Sequence, residues 1–149
     1  MLKTKIPPPA IALIFIALLY LSTYLIPAFR IDYQTILAVI CLVAGFSPAG
    51  IAFFQFKKRD TTIDPRKPEN STELVVGGVF KYSRNPMYVG LTMVLVSASL
   101  FLGAWSGLVL IPVFILLINH LQILPEEEAM EKLFGEQYAE YCKNVRRWI

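Results

Sequence analysis

Two short stretches hold most of the residues able to do chemistry. In "KYSRNPMYVG", Lys81 to Gly90, two cations, an amide and a proline stand at the mouth of an apolar run. In "ILPEEEAM", Ile123 to Met130, three glutamates follow a proline at the end of another. Each stretch has a plain structural reading. Pro86 suits the first turn of a helix, where its missing N–H costs nothing, and Asn85 is a capping residue. Arg84 then serves as an interfacial anchor with its charge in water. The glutamates favour a helix start, where carboxylates suit the dipole. The chemical reading is that Arg84 and a helix N-terminus hold an anion while Glu126 and Glu127 hold a cationic centre.

What must position these groups is a set of apolar segments. The chain of 149 residues is 56% hydrophobic and 17% charged, with a mean hydropathy of +0.56. The excess falls in four blocks, at about 9–26, 35–54, 87–103 and 105–124, and each is near the ~20 residues that a membrane-crossing helix needs. The fold class expected is all-α: an integral membrane protein with four transmembrane helices, a cytoplasmic loop at 55–86 and an amphipathic tail at 125–149, in a single domain. Block one lacks a cleavage pattern and reads as a retained anchor. The net charge of +3 is too small to argue for nucleic acid. Two cysteines and one histidine give no metal-ligand spacing.

Lysine and arginine set the orientation. Of the 14, Arg30 alone lies between blocks one and two, and none lies in the "GAWSG" turn between blocks three and four. The rest fall before block one, in the middle loop or in the tail. The positive-inside bias therefore puts both termini and the loop in the cytoplasm, on a multi-pass protein of the cell inner membrane. Pro48, Gly45 and Gly50 predict a bend in block two. In the tail, Met130, Leu133, Phe134, Tyr138, Tyr141, Val145 and Trp148 recur every three or four residues. They predict an amphipathic helix broken near Gly135, lying along the membrane or folded back onto the loop. Block three starts where block four ends, so Arg84 and Asn85 should face Glu126 and Glu127. Such a site suits a zwitterion with an extra positive centre.

The two stretches with their flanks, "LVVGGVFKYSRNPMYVG" and "EEEAMEKLFGEQYAEYCKNVRRWI", resemble the isoprenylcysteine carboxyl methyltransferase and phospholipid methyltransferase superfamily. The residues that carry the resemblance are Leu74, Val75, Gly78, Phe80, Arg84, Asn85, Pro86, Tyr88 and Gly90, then Glu126, Glu127, Met130, Phe134, Gly135, Tyr138, Tyr141, Val145 and Arg147. It covers roughly the C-terminal half of the chain. The resemblance implies a methyltransferase using S-adenosylmethionine (S-adenosyl-L-methionine) at the cytoplasmic face. The cofactor would be lined by Thr72, Glu73, Leu74, Val75, Phe80, Arg84, Asn85, Pro86, Met87, Tyr88 and Glu126. Arg84 and Glu127 are the catalytic candidates.

A family arginine associated with the substrate in the prenylcysteine enzymes aligns with Gln122, which weakens the case for a carboxylate acceptor. His120, two residues earlier, is either a base for an amine or thiol acceptor or a hydrogen-bonded polar residue between helices. A lipidic or prenylated acceptor would enter from the bilayer. Carboxyl O-methylation, phospholipid N-methylation and thiol S-methylation all stay open. So do two other classes: an NADPH-dependent membrane reductase, related to certain sterol reductases, and a non-catalytic membrane protein.

Overall fold

Backbone polar groups inside an apolar run must bond to one another, and a helix does this within one segment. The computed structural model describes residues 6–58 and 74–149, and every regular element among them is helical. Helix α1 covers Pro8–Ser22, α2 Gln34–Lys58, α3 Pro86–Leu102 and α4 Gly107–Ile118. One π-helical turn, Asn119–Ile123, leads directly into α5, Leu124–Phe134, and α6 follows at Glu136–Asn144. A short 3₁₀ turn, Gly78–Lys81, precedes α3. Thr72 and Glu73, and the loop cations Arg59, Arg66 and Lys67, lie outside the described residues.

The boundaries depart from the apolar blocks in three places. Helix α1 stops at Ser22, four residues short of the end of the first block. There the Ser22 and Thr23 hydroxyls donate to the carbonyls of Leu19 and Tyr20, the local bonding by which these residues compete with a continuing helix. Helix α2 runs on past its apolar part to Lys58. The tail does not begin a new helix at Pro125, because the fourth block continues through the π turn to Phe134. Pro125 explains the turn. It has no N–H to donate, and its ring crowds the carbonyl four residues back. The wider turn relieves this, with the Leu124 N–H bonded five residues back to Asn119.

Among the described residues two helical stretches, Gln34–Ala52 and Gly107–Phe134, are long and apolar enough to cross a membrane. Helices α1 and α3 are shorter, at 15 and 17 residues. Large apolar side chains cover their outward faces, among them Leu13 and Ile14 on α1, Val39, Val43 and Phe46 on α2, and Leu108 and Leu116 on α4. An apolar surface of this extent belongs against lipid or protein, not water.

Helix α3 is the centre of the bundle, with α2 along one side and α1 and α4 along the other. The α2–α3 contact is backbone on backbone. A Cβ placed on Gly90 would lie 2.5 Å from the Gly45 carbonyl oxygen, and one on Gly45 would lie 2.8 Å from that of Gly90. Gly45 thus serves this approach, whatever it adds to bending at Pro48. Ser97 donates to the Ala38 carbonyl at 2.7 Å and Gln34 to that of Leu100 at 2.7 Å. On the other side Phe15 and Phe114 meet edge to face at 5.3 Å, packed with buried Leu19, Leu95 and Ile118. Gly103 ends α3 in the left-handed region, φ 65°, and its carbonyl accepts the Phe29 N–H at 2.9 Å. The break after α5 falls at Gly135, φ 49°, where the periodicity placed it.

Candidate functional site

The start of α3 is built for holding the tail. Pro86 is buried at the first helical position and Asn85 precedes it. The Asn85 side chain makes no capping bond, contrary to the expectation from its type. Its backbone carbonyl accepts the N–H groups of Tyr88 and Val89, while its side-chain Nδ2 donates to the Arg147 carbonyl at 3.0 Å. Beside it the Arg84 N–H donates to the Arg146 carbonyl at 3.0 Å. Farther along, Trp148 Nε1 donates to Asn119 Oδ1 at 3.2 Å. Residues 145–148 are thereby strapped across the mouth of α3 and the end of α4. The tail folds back onto the loop, the second of the two arrangements its periodicity allowed.

Under this strap the two motif stretches meet. Glu127 accepts a two-bond fork from Arg147, Nε at 3.0 Å and Nη2 at 2.7 Å. Arg84 Nη1 joins it at 3.1 Å and also touches the Cys142 thiol. Arg84 is largely buried, its side chain 15% exposed, and its Nε is buried with no hydrogen-bond partner among the described residues. Glu126 points elsewhere and accepts the hydroxyl of buried Tyr88.

The two neighbouring carboxylates therefore differ electrically. Glu126 follows Ile123 and Leu124, where the fourth apolar block, at about 105–124, ends. Burial pushes its carboxyl up to about 8; the Tyr88 bond pulls against this and the Glu127 charge adds to it. Arg147 is held above its ordinary value, chiefly by its hydrogen bond to Glu127. Burial, and then the Glu127 charge, also raise the Tyr138 hydroxyl. Glu127 is shared between two guanidinium groups, so the cluster keeps an excess of positive charge. It can take an anion at Arg84 and hold a proton at Glu126.

The other expected lining residues sit close by in different roles. Val75 and Phe80 are buried with Ala52 in a small core, against which Met87 and Tyr141 pack. Backbone groups of this stretch are bonded within the protein: the Phe80 N–H donates to the Gly77 carbonyl and the Phe80 carbonyl accepts the Tyr141 hydroxyl at 2.7 Å. Leu74 lines an open cleft of about 1010 Å³ along α6, with Lys81, Glu140, Tyr141 and Val145. Gln122 is 1% exposed. Its Nε2 donates to the Ile6 carbonyl at 2.8 Å, and its Oε1 has no partner among the described residues. His120 lies in the same π turn but is exposed, and no described contact joins it to Arg84 or the glutamates.

Arg147, Cys142 and the Asn119–Trp148 bond were missed as parts of this site. Arg147 is a matched position of the second motif, so its presence was legible. Its partner was not, because a motif does not say which carboxylate a tail arginine meets.

A family model described as phospholipid methyltransferase matches residues 33–137, well over half of the chain and including both Arg84 and the glutamates. An uncharacterized protein of Haemophilus influenzae is 42% identical over 66 residues, which is 42% of this chain and the whole of that protein. No solved structure matches.

Proposed function

The chain belongs to the phospholipid methyltransferase family, and from that premise we propose that it is an integral membrane methyltransferase that uses S-adenosylmethionine to methylate a lipidic acceptor. The observation that carries the reading is the meeting of the two motif stretches in one buried cluster, with Arg84 on Glu127 and Tyr88 on Glu126. The groups of this cofactor have counterparts there. The Nε of buried Arg84, which has no hydrogen-bond partner among the described residues, suits its carboxylate. Glu126 suits its positive centres when ionised, and Leu74, in a cleft along α6 that none of these charged groups lines, is the proposed contact for its adenine. Val75 and Phe80 support the wall from behind rather than line it.

When bound, the sulfonium supplies a methyl group on an excellent leaving group, so the protein's share of the work is alignment, exclusion of water and proton handling. An acceptor that is already anionic needs no base. An amine must be neutral before it reacts, and Glu126 is the better base for that. Its carboxyl titrates at about 8, near working pH, whereas Glu127 is tied to two arginines. Gln122, a buried neutral amide in place of a cation, favours an amine-bearing lipid over a carboxylate acceptor. The isoprenylcysteine-like acceptor is the second reading.

The four apolar helices are proposed to span the membrane with both termini and the middle loop in the cytoplasm of the cell, and 1–149 to act as one domain. Thr72 and Glu73 complete the proposed cofactor lining. The test is calorimetry on detergent-purified protein with S-adenosylmethionine and, separately, NADPH. Saturable binding of the first alone, lost in Glu126→Ala, supports the reading. Binding of NADPH alone would move the chain to the reductase class. Folded protein that binds neither would leave the proposed cofactor without support.

A further inference from the structure

Arg147 has no role in the reading above, yet of the two arginines on Glu127 it makes the closer ion pair. Glu127 is held by Arg147 through two bonds, at 3.0 and 2.7 Å, and by Arg84 through a single contact at 3.1 Å. A carboxylate beside a guanidinium prefers the two-bond fork. Without Arg147, Glu127 would be free to turn that fork onto Arg84 and neutralise it. With Arg147 present, one carboxylate is divided between two cations and Arg84 keeps positive charge to spend. Its buried Nε has no partner among the described residues, so a donor waits for an acceptor. The rest of the strap does not need the Arg147 side chain. It is tied by the backbone carbonyls of Arg146 and Arg147 and by Trp148 on Asn119.

We propose that Arg147 is a positioning residue for anion recognition: by occupying Glu127 it leaves Arg84 free to bind the carboxylate of the methyl donor. This rests on the S-adenosylmethionine reading and adds to it which charge arrangement recognises the carboxylate.

The test compares two ligands on the full-length protein in detergent, S-adenosylmethionine and its decarboxylated form, which keeps the sulfonium, the amine and the adenine. Charge-assisted hydrogen bonds are strong enough that Arg147→Gln should weaken S-adenosylmethionine about tenfold or more. The same variant should change the affinity of the decarboxylated ligand less than about twofold, because that ligand has nothing for Arg84 to hold. Arg147→Lys keeps the charge without the fork and should recover part of the loss; it carries the same comparison if Arg147→Gln does not fold. Equal losses for both ligands would reduce Arg147 to a strap residue and overturn the proposal, as would no loss for either. A wild-type protein that binds neither ligand would instead overturn the methyl-donor reading, and this inference with it.

Discussion

Glu126 and Glu127 are adjacent in sequence and opposite in circumstance. Glu127 faces two guanidinium groups. Glu126 faces a tyrosine and a buried setting, which raises its carboxyl to about 8. The sign of the consequence follows from linkage. A carboxyl near 4.5 in the unfolded chain and near 8 in the folded one holds a proton in the native state that the unfolded state has lost. Its contribution to stability is therefore complete below the unfolded value and is lost as pH rises through the folded one, at up to about 1.4 kcal/mol per pH unit. Glu126→Gln removes this dependence. Its thermal midpoint in detergent should match wild type near pH 5 and exceed it increasingly towards pH 8, and parallel curves would show that Glu126 is not raised. The sequence made both glutamates candidates from their place after Pro125. The resemblance gave them different roles, but their electrostatic difference was not legible, because it depends on Tyr88 and Arg147, 38 and 20 residues away.

At the scale of elements, the apolar runs made four of the helices legible, and Gly135 marked the break before α6. Helix contacts were less so. Gly90 belongs to the first motif and reads there as part of a cofactor signature. In the fold it is where α3 touches α2, and what decides that is a glycine 45 residues earlier. The glycines of α2 should accordingly behave differently. A Cβ at Gly45 meets backbone at 2.8 Å, whereas one at Gly50 meets nothing within 4 Å. Gly45→Ala and Gly90→Ala should each destabilise by about 1–3 kcal/mol through overpacking. Gly50→Ala should be neutral or stabilise by up to about 1 kcal/mol through helix propensity. Thermal unfolding of the three variants checks this, and similar effects at all three would mean the helices do not touch there. A tilt of the helices by this contact would also carry Tyr88 and Arg84, which sit on the same end of α3.

For the whole molecule, the distribution of charge and the exposed apolar faces of α1, α2 and α4 agree on a membrane setting. The expectation that both termini share the cytoplasm with the middle loop can be measured with single cysteines in a Cys41→Ser, Cys142→Ser background. Asp32 and Glu140 are both exposed and lie at opposite ends of the bundle in the proposed topology. Asp32→Cys should react with an impermeant maleimide in spheroplasts, and Glu140→Cys only after lysis. The reverse pattern would invert the topology and put the Arg84–Glu127 cluster on the wrong side for a cytosolic methyl donor. Composition made the apolar segments legible, because apolar character is a property of whole segments. It conveyed the tail's docking poorly, because the strap is made by bonds that join residues 146, 147 and 148 to residues 84, 85 and 119.

The π turn at Asn119–Ile123 shifts the phase between the two ends of a long rod. Each residue of an α-helix advances about 100° around the axis, and this turn takes up one residue more than an α-helical turn would. A helical wheel drawn straight through from Gly107 to Phe134 is therefore out of step by about one such advance after Ile123. Ile118 and Glu127, nine residues apart, would stand on opposite sides of an unbroken α-helix, and the stored residue brings them about 100° closer around the axis.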